Sequence, residues 1–182
     1  MKKATFTSTI LCSIFLLGPV SGFTQAKASK LDLIDSKNLV AISKMGIPSL
    51  SENATAATTS EVNTKAMRDF RKAFKNVSDE KWYSISSGYL AEFTDHSIKN
   101  SVVYDKKGNW VFTIRYYDEK DLPGDVRSQV KKTYYDYTIT TVEEIHVDDK
   151  VIYLVHLQND STWKKVRICD GEMQLIEDFN KQ

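Results

Sequence analysis

Three features of the sequence predict an α+β fold in which a helix-plus-antiparallel-strand unit occurs twice, with both helices on one face of the sheet. Apolar residues recur at helical spacing in two short stretches. Period-two alternation fills the stretches that follow them. Phe70, Phe74 and Trp82 also find counterparts sixty positions later in Val130, Tyr134 and Val142.

The first helix starts at Asn63 or Thr64, either of which can cap it, and carries Met67, Phe70, Ala73, Phe74 and Val77 on one side. Four strands follow: Trp82 to Ser86, Tyr89 to Thr94, Ile98 to Tyr104 and Trp110 to Tyr117. The turn Asp105-Lys106-Lys107-Gly108 separates the last two, with glycine free to take a positive φ. Pro123 then suits a first helical turn, and Val126, Val130, Lys131 and Tyr134 continue at helical spacing. The remaining strands are Ile139 to Val147, Val151 to Gln158, Trp163 to Cys169 and, after the turn Asp170-Gly171, Met173 to Phe179. The two sheets are expected to join edge to edge or to form one layer under two helices.

The amino terminus predicts export. Lys2 and Lys3 precede an uncharged apolar run from Ile10 to Val20, and small residues around Ala26-Lys27-Ala28 follow it. The run is about half the ~20 residues that a bilayer span requires, so a cleaved signal peptide over residues 1–28 is expected rather than an anchor. Cys12 follows Ile10-Leu11 and lacks the small residues that a lipidation site needs. Residues 29–62 contain no aromatic side chain, and Ser49 to Ser60 is nearly all small and polar, which predicts a flexible lead-in. A short helix over Leu31 to Met45 is the one element expected there. The expected domain is residues 63–182, with repeats at about 63–120 and 121–182.

Cleavage at residue 28 removes Lys2, Lys3 and Lys27 from the 25 basic side chains and none of the 24 acidic ones, leaving a net charge of −2. Nothing in that balance favours nucleic acid or an anionic membrane as partner. Cys169 is then the sole cysteine, so no intramolecular disulfide can form. In an apolar strand it reads as a small buried hydrophobe.

No catalytic constellation is evident. His96 sits beside Asp95 and Ser97 in an expected turn. Glu144, His146 and Asp148 share one side of a strand and superficially resemble a metal comb, but a half-exposed strand produces the same pattern and no second His or Cys completes it. His156 reads as a partly buried imidazole. Ser86-Ser87-Gly88 is not a nucleophile elbow, and no phosphate loop or dinucleotide fingerprint is present. No cofactor or metal is expected, and the chain is read as not an enzyme. The aromatic load, with nine Tyr, three Trp and eight Phe, points instead to recognition. Trp82, Phe93, Trp110, Phe112 and Phe74 are assigned to the interface between sheet and helices. Alternation places Tyr83, Thr113, Arg115 and Tyr117 opposite those positions, and with Glu92 they form the candidate binding surface.

The run Phe70-Arg71-Lys72-Ala73-Phe74, Val77-Ser78-Asp79-Glu80-Lys81-Trp82, Gly88-Tyr89-Leu90-Ala91-Glu92-Phe93, Val103-Tyr104-Asp105-Lys106-Lys107-Gly108-Asn109-Trp110 and Leu122-Pro123-Gly124-Asp125-Val126 resembles the β-lactamase-inhibitor-like, PepSY-like family of exported proteins, found largely in Bacteroidetes. The resemblance covers about Asn63 to Phe179. It implies the repeated helix-plus-sheet fold and a periplasmic home. The family takes its name from likeness to a secreted β-lactamase inhibitor that grips its enzyme with a concave sheet. No inhibitory motif carries over residue by residue. The second turn, Cys169-Asp170-Gly171, is shorter than the first, so the two repeats are not expected to offer equivalent surfaces.

The function expected from these readings is an exported, non-catalytic module that binds a protein or peptide of the cell envelope through the exposed sheet face and could inhibit an enzyme there. A periplasmic small-ligand carrier or sensor is the alternative. Edge strands leave homodimerisation open.

Overall fold

The computed structural model describes residues 54–181; the expected signal peptide and the helix expected over Leu31 to Met45 lie outside them. Nine strands form one antiparallel sheet in sequence order. They are β1 (Thr55–Ala57), β2 (Ser78–Ile85), β3 (Gly88–Asp95), β4 (Ile98–Asp105), β5 (Trp110–Tyr117), β6 (Thr138–Val147), β7 (Lys150–Gln158), β8 (Thr162–Cys169) and β9 (Glu172–Asn180). Helix α1 (Thr64–Ala73) stands between β1 and β2. A 3-10 turn (Glu119–Asp121) and helix α2 (Gly124–Thr133) stand between β5 and β6. The expected one-layer arrangement is therefore a single continuous sheet, which dominates the molecule and carries two short helices.

Both helices begin and end for local reasons. Asn63 caps α1 by accepting a hydrogen bond from the Lys65 amide at 2.9 Å, and α2 starts directly after Pro123, whose fixed φ suits a helix entry. Each helix has ten residues, too few to persist alone in water, so packing must hold it. Phe70 supplies that packing for α1. Its ring is fully buried and meets Trp82 and Phe93 edge-on at centroid distances of 5.2 and 5.0 Å. Val126 and Val130 of α2 cluster with Val142, Val155 and Val166.

Register shows that the helices share one face. The row Trp82, Ala91, Val102, Thr113 and His146 runs across β2 to β6 as direct cross-strand partners. So does Tyr117, Val142, Val155 and Val166 across β5 to β8. Directly opposed residues point to the same side. The face away from the helices is apolar as well, with Leu90, Val103, Phe112 and Val147 in one row and Ile114, Ile145, Ile152 and Cys169 in another, all buried.

Two expectations are corrected here. Thr55–Ala57 pairs with Trp82–Ser84 as an edge strand, so the sheet reaches into the segment read as lead-in. Backbone pairing needs no apolar side chain, which is why a Thr-Ala-Ala sequence gave no strand signal. The second correction concerns β5. Thr113, Arg115 and Tyr117 lie on the helix face, not opposite it, and Phe112, assigned to the interface with the helices, lies on the face away from them. The register shifts between Val103 and Tyr104, so Tyr104 opposes Trp110 while Val103 opposes Phe112. Trp110 and Thr113 consequently share a face, and the Trp110 indole N–H donates to Thr113 Oγ1 at 2.9 Å. Counting strict alternation from Trp110 inverts every later residue of the strand.

Gly88 marks the closest backbone approach. At φ +154° a β-carbon there would stand 2.1 Å from the Tyr104 carbonyl oxygen, so β3 and β4 would have to part. Gly88→Ala is expected to cost on the order of 2–3 kcal/mol in urea unfolding. Gly171→Ala, at φ +78° with nothing within 4 Å, is expected to cost only about 1 kcal/mol for the left-handed backbone. Equal costs would mean that the β3–β4 contact is looser than described.

Candidate functional site: the cleft between the helices

Helix α1 covers β2 to β4, and α2 covers β6 to β8. Between them the helix face is open over β5 and the carboxy-terminal half of β6. The cleft there has a volume of about 580 Å³. Asp69 of α1 and Phe74 just after it form one wall, Trp110 and Tyr104 the upper end, and Thr113, Arg115 and His146 the floor, with Asp148 at the rim.

A buried carboxylate organises the floor. Glu144 is 5 % exposed and directly opposes Arg115 across β5 and β6, while Thr113 directly opposes His146. Arg115 Nη1 donates to Glu144 Oε1 at 2.8 Å, His146 Nε2 meets the same oxygen at 2.5 Å, and the Tyr117 hydroxyl donates to Oε2. Burial alone would push the Glu144 carboxyl up. The hydrogen bonds from His146, Tyr117 and Arg115, together with the arginine charge, outweigh it and bring the group down to about 2. Burial, and then the bond to Glu144, push the Tyr117 phenol well above its ordinary value. The result is a carboxylate ionised at neutral pH and clamped by three donors, which fixes Arg115 in one orientation, its other N–H groups making no hydrogen bond among the described residues.

The walls are held less tightly. The Tyr104 hydroxyl donates to Asp69 Oδ2 at 3.2 Å, tying β4 to α1. Burial first, and then the Asp69 charge, raise the Tyr104 phenol. Asp148 takes a left-handed φ of +48° in the turn after β6 and, among the described residues, makes no hydrogen bond or ion pair.

The five residues expected to form one binding surface are divided by the sheet. Thr113 and Arg115 line the cleft, and Tyr117 lies beneath it. Tyr83 and Glu92 stand on the other face, where Glu92 opposes Lys81 and Ser101. There burial, and then the charge and hydrogen bond of Glu92, raise the Tyr83 phenol. On that same face His156 Nε2 meets Glu143 Oε1 at 2.6 Å, so the two consecutive glutamates of β6 serve opposite sides of the sheet. Asp69, Tyr104 and Trp110 were not singled out as site residues. Their convergence depends on how α1 lies on the sheet, which no local pattern records.

Glu144 is bound by both His146 and Arg115 rather than standing open as a ligand. Among the described residues no group of three His, Cys, Asp or Glu side chains could hold a metal. Cys169 is buried, and burial raises its thiol, which favours the unreactive protonated form. No described helix is long and apolar enough to cross a membrane.

No protein-family model matches the chain, and no curated protein does. Solved structures do. A BLIP-like protein from Bacteroides fragilis NCTC 9343 superposes with a TM-score of 0.53 at 17 % identity, over 65 % of this chain and 86 % of its own. The chain has the BLIP-like fold. A DUF2874 family protein from Bacteroides uniformis ATCC 8492 matches with a TM-score of 0.53 at 16 % identity, over 65 % of this chain and 89 % of its own. A Bacteroides eggerthii DSM 20697 protein, provisionally described as periplasmic, gives 0.54 at 13 % identity over 65 % and 88 %. At these identities the likeness concerns the fold.

Proposed function

We propose that this chain is an exported, periplasmic binding module that receives a polar group of a protein or peptide partner in the cleft between its helices. The signal-peptide pattern of residues 1–28 and the periplasmic description of a protein of like fold support the compartment. The order of one helix followed by four strands, occurring twice, supports descent from a duplicated unit. The observation that carries the binding reading is the floor of the cleft. An arginine locked by a buried glutamate, with aromatic walls beside it, is an arrangement prepared for recognition before any partner arrives.

The test is capture of partners from the host's envelope extract on residues 29–182. A specific partner is expected, with retention falling at least about tenfold for Arg115→Ala and for Asp148→Lys. The second variant leaves the floor network intact, and an unchanged urea midpoint for it separates loss of binding from strain at its left-handed backbone. Tyr83→Ala and Glu92→Ala should retain the partner fully. Loss with those two and not with the cleft pair would move the site to the opposite face. A second reading, a small ligand in the same cleft, is favoured by its volume, which falls within the range of small-molecule sites. Its mark would be a blank capture together with an added mass on the intact protein under native conditions.

A further inference from the structure

The two edges of the sheet differ. β1 is a three-residue edge of small side chains, whereas β9 is a nine-residue edge without proline or glycine. Three of the four exposed large apolar side chains among the described residues stand on β8 and β9: Trp163 at 42 %, Leu175 at 44 % and Phe179 at 59 % exposure. Among the described residues nothing pairs with the outer side of β9, and a long open edge with apolar side chains beside it is a template for strand addition. We infer that β9 pairs antiparallel with β9 of a second copy, extending the sheet across a two-fold axis.

The bulge in β9 selects the register. Met173 and Leu175 share the helix face through their partners Ile168 and Val166, and Asp178 does so through Lys164. Glu177 opposes Lys165, and Phe179 opposes Trp163, on the other face. Ile176 packs against the apolar cluster of that other face too, so the consecutive residues Ile176 and Glu177 point the same way. A two-fold axis normal to the sheet requires each residue and its opposite number to share a face. In an unbulged strand that condition is met by pairing a residue with its own counterpart. Here the parity changes at Ile176–Glu177, and the register that keeps faces matched along the whole strand sets Ile176 against Glu177, Leu175 against Asp178, Gln174 against Phe179, Met173 against Asn180 and Glu172 against Lys181.

Charge agrees with this register. Glu172, Glu177 and Asp178 give β9 an acidic character that would oppose self-pairing if like met like. In this register no acid faces an acid, and Glu172 meets Lys181 at both ends. Within each copy Asp178 is already bound by Lys164 at 2.6 Å, and Glu177 lies 3.6 Å from Lys165, so the two acids near the axis bring their counter-charges with them. Lys181 lies over the Trp163 ring at 5.0 Å, on the same face as Phe179, and its ammonium donates to the Asn159 carbonyl; two further N–H groups remain on it for the second copy's Glu172.

The test uses the mature chain, residues 29–182, in sedimentation at micromolar concentration, where a dimer is expected. An equimolar mixture of Gln174→Cys and Phe179→Cys chains should form an interchain disulfide under mild oxidation. A mixture of Leu175→Cys and Phe179→Cys chains, whose side chains stand on opposite faces, should not. These positions are exposed, so the substitutions leave the core intact, and the native Cys169 is buried. A Leu175→Lys, Phe179→Lys chain should sediment as a monomer that still unfolds cooperatively, with a Tm that no longer rises with protein concentration as that of the unsubstituted chain should. A monomer for the unsubstituted chain overturns the inference. So does a dimer that forms no cross-link between positions 174 and 179.

Discussion

Glu144→Ala is expected to destabilise the protein by about 2–3 kcal/mol, because it leaves the buried Tyr117 hydroxyl without its acceptor and the half-exposed Arg115 without its partner. Urea unfolding reads the loss directly. Glu144→Gln keeps the shape and one acceptor and should cost less, but it removes the response to acid. The sign follows from the direction of the shift. In the folded chain the carboxyl is held near 2, below its ordinary 4.5, so its contribution is fully present above about pH 4.5 and is lost as pH falls from there towards 2. The amount lost over that window is about 3 kcal/mol. The unsubstituted protein should therefore weaken steeply across that window, and Glu144→Gln should flatten the curve. Parallel curves would mean that the carboxylate is not the group held by the three donors. The loss should also reach the cleft, since Arg115 without Glu144 is free to leave its position on the floor.

Phe70→Ala is expected to cost about 3–5 kcal/mol, the range for emptying a fully enclosed phenylalanine site. Its ring is closed to water and touches Phe74, Trp82 and Phe93, three large rings that would have to turn to fill the space it leaves. The consequence is larger than one cavity. A ten-residue helix does not persist without packing, so loss of Phe70 should loosen α1, and with it the Asp69 and Phe74 wall of the cleft. Unfolding curves should show the drop, and hydrogen exchange should show lost protection in Thr64–Ala73 ahead of the β-strands. Tyr135→Ala, at the exposed position after α2, should change stability by less than about 0.5 kcal/mol. A Phe70→Ala chain within about 1 kcal/mol of the unsubstituted protein would show that α1 is not held by its aromatic contacts.

The candidate site shows how far a single sequence reaches. Arg115, Thr113 and Tyr117 were legible as side chains of interest because they alternate along a strand rich in aromatic residues. Their direction was not legible, since it depends on one register shift between Val103 and Tyr104. Glu144 and His146 attracted attention as a metal comb because they share a strand face. The structure does place them together, but the donor that completes the group, Arg115, comes from the neighbouring strand at a register that composition does not encode. Asp69 and Trp110 reach the cleft only because α1 lies where Phe70 seats it.

The sequence by itself determined which local elements occur and in what order: two helices, the eight longer strands and the turns that divide them, although α1 ends at Ala73 and β2 begins at Ser78, ahead of the Trp82 start its alternation suggests. Those follow from the periodicities of 3.6 and 2, from Asn63 and Pro123 at the helix entries, and from turn residues such as Asp105 to Gly108. Tertiary structure alone decided the faces and the edges. One extra residue in a strand reverses the direction of every later side chain, and backbone pairing can recruit a segment as plain as Thr55–Ala57, so sidedness and sheet extent are set by neighbouring strands rather than by the strand itself.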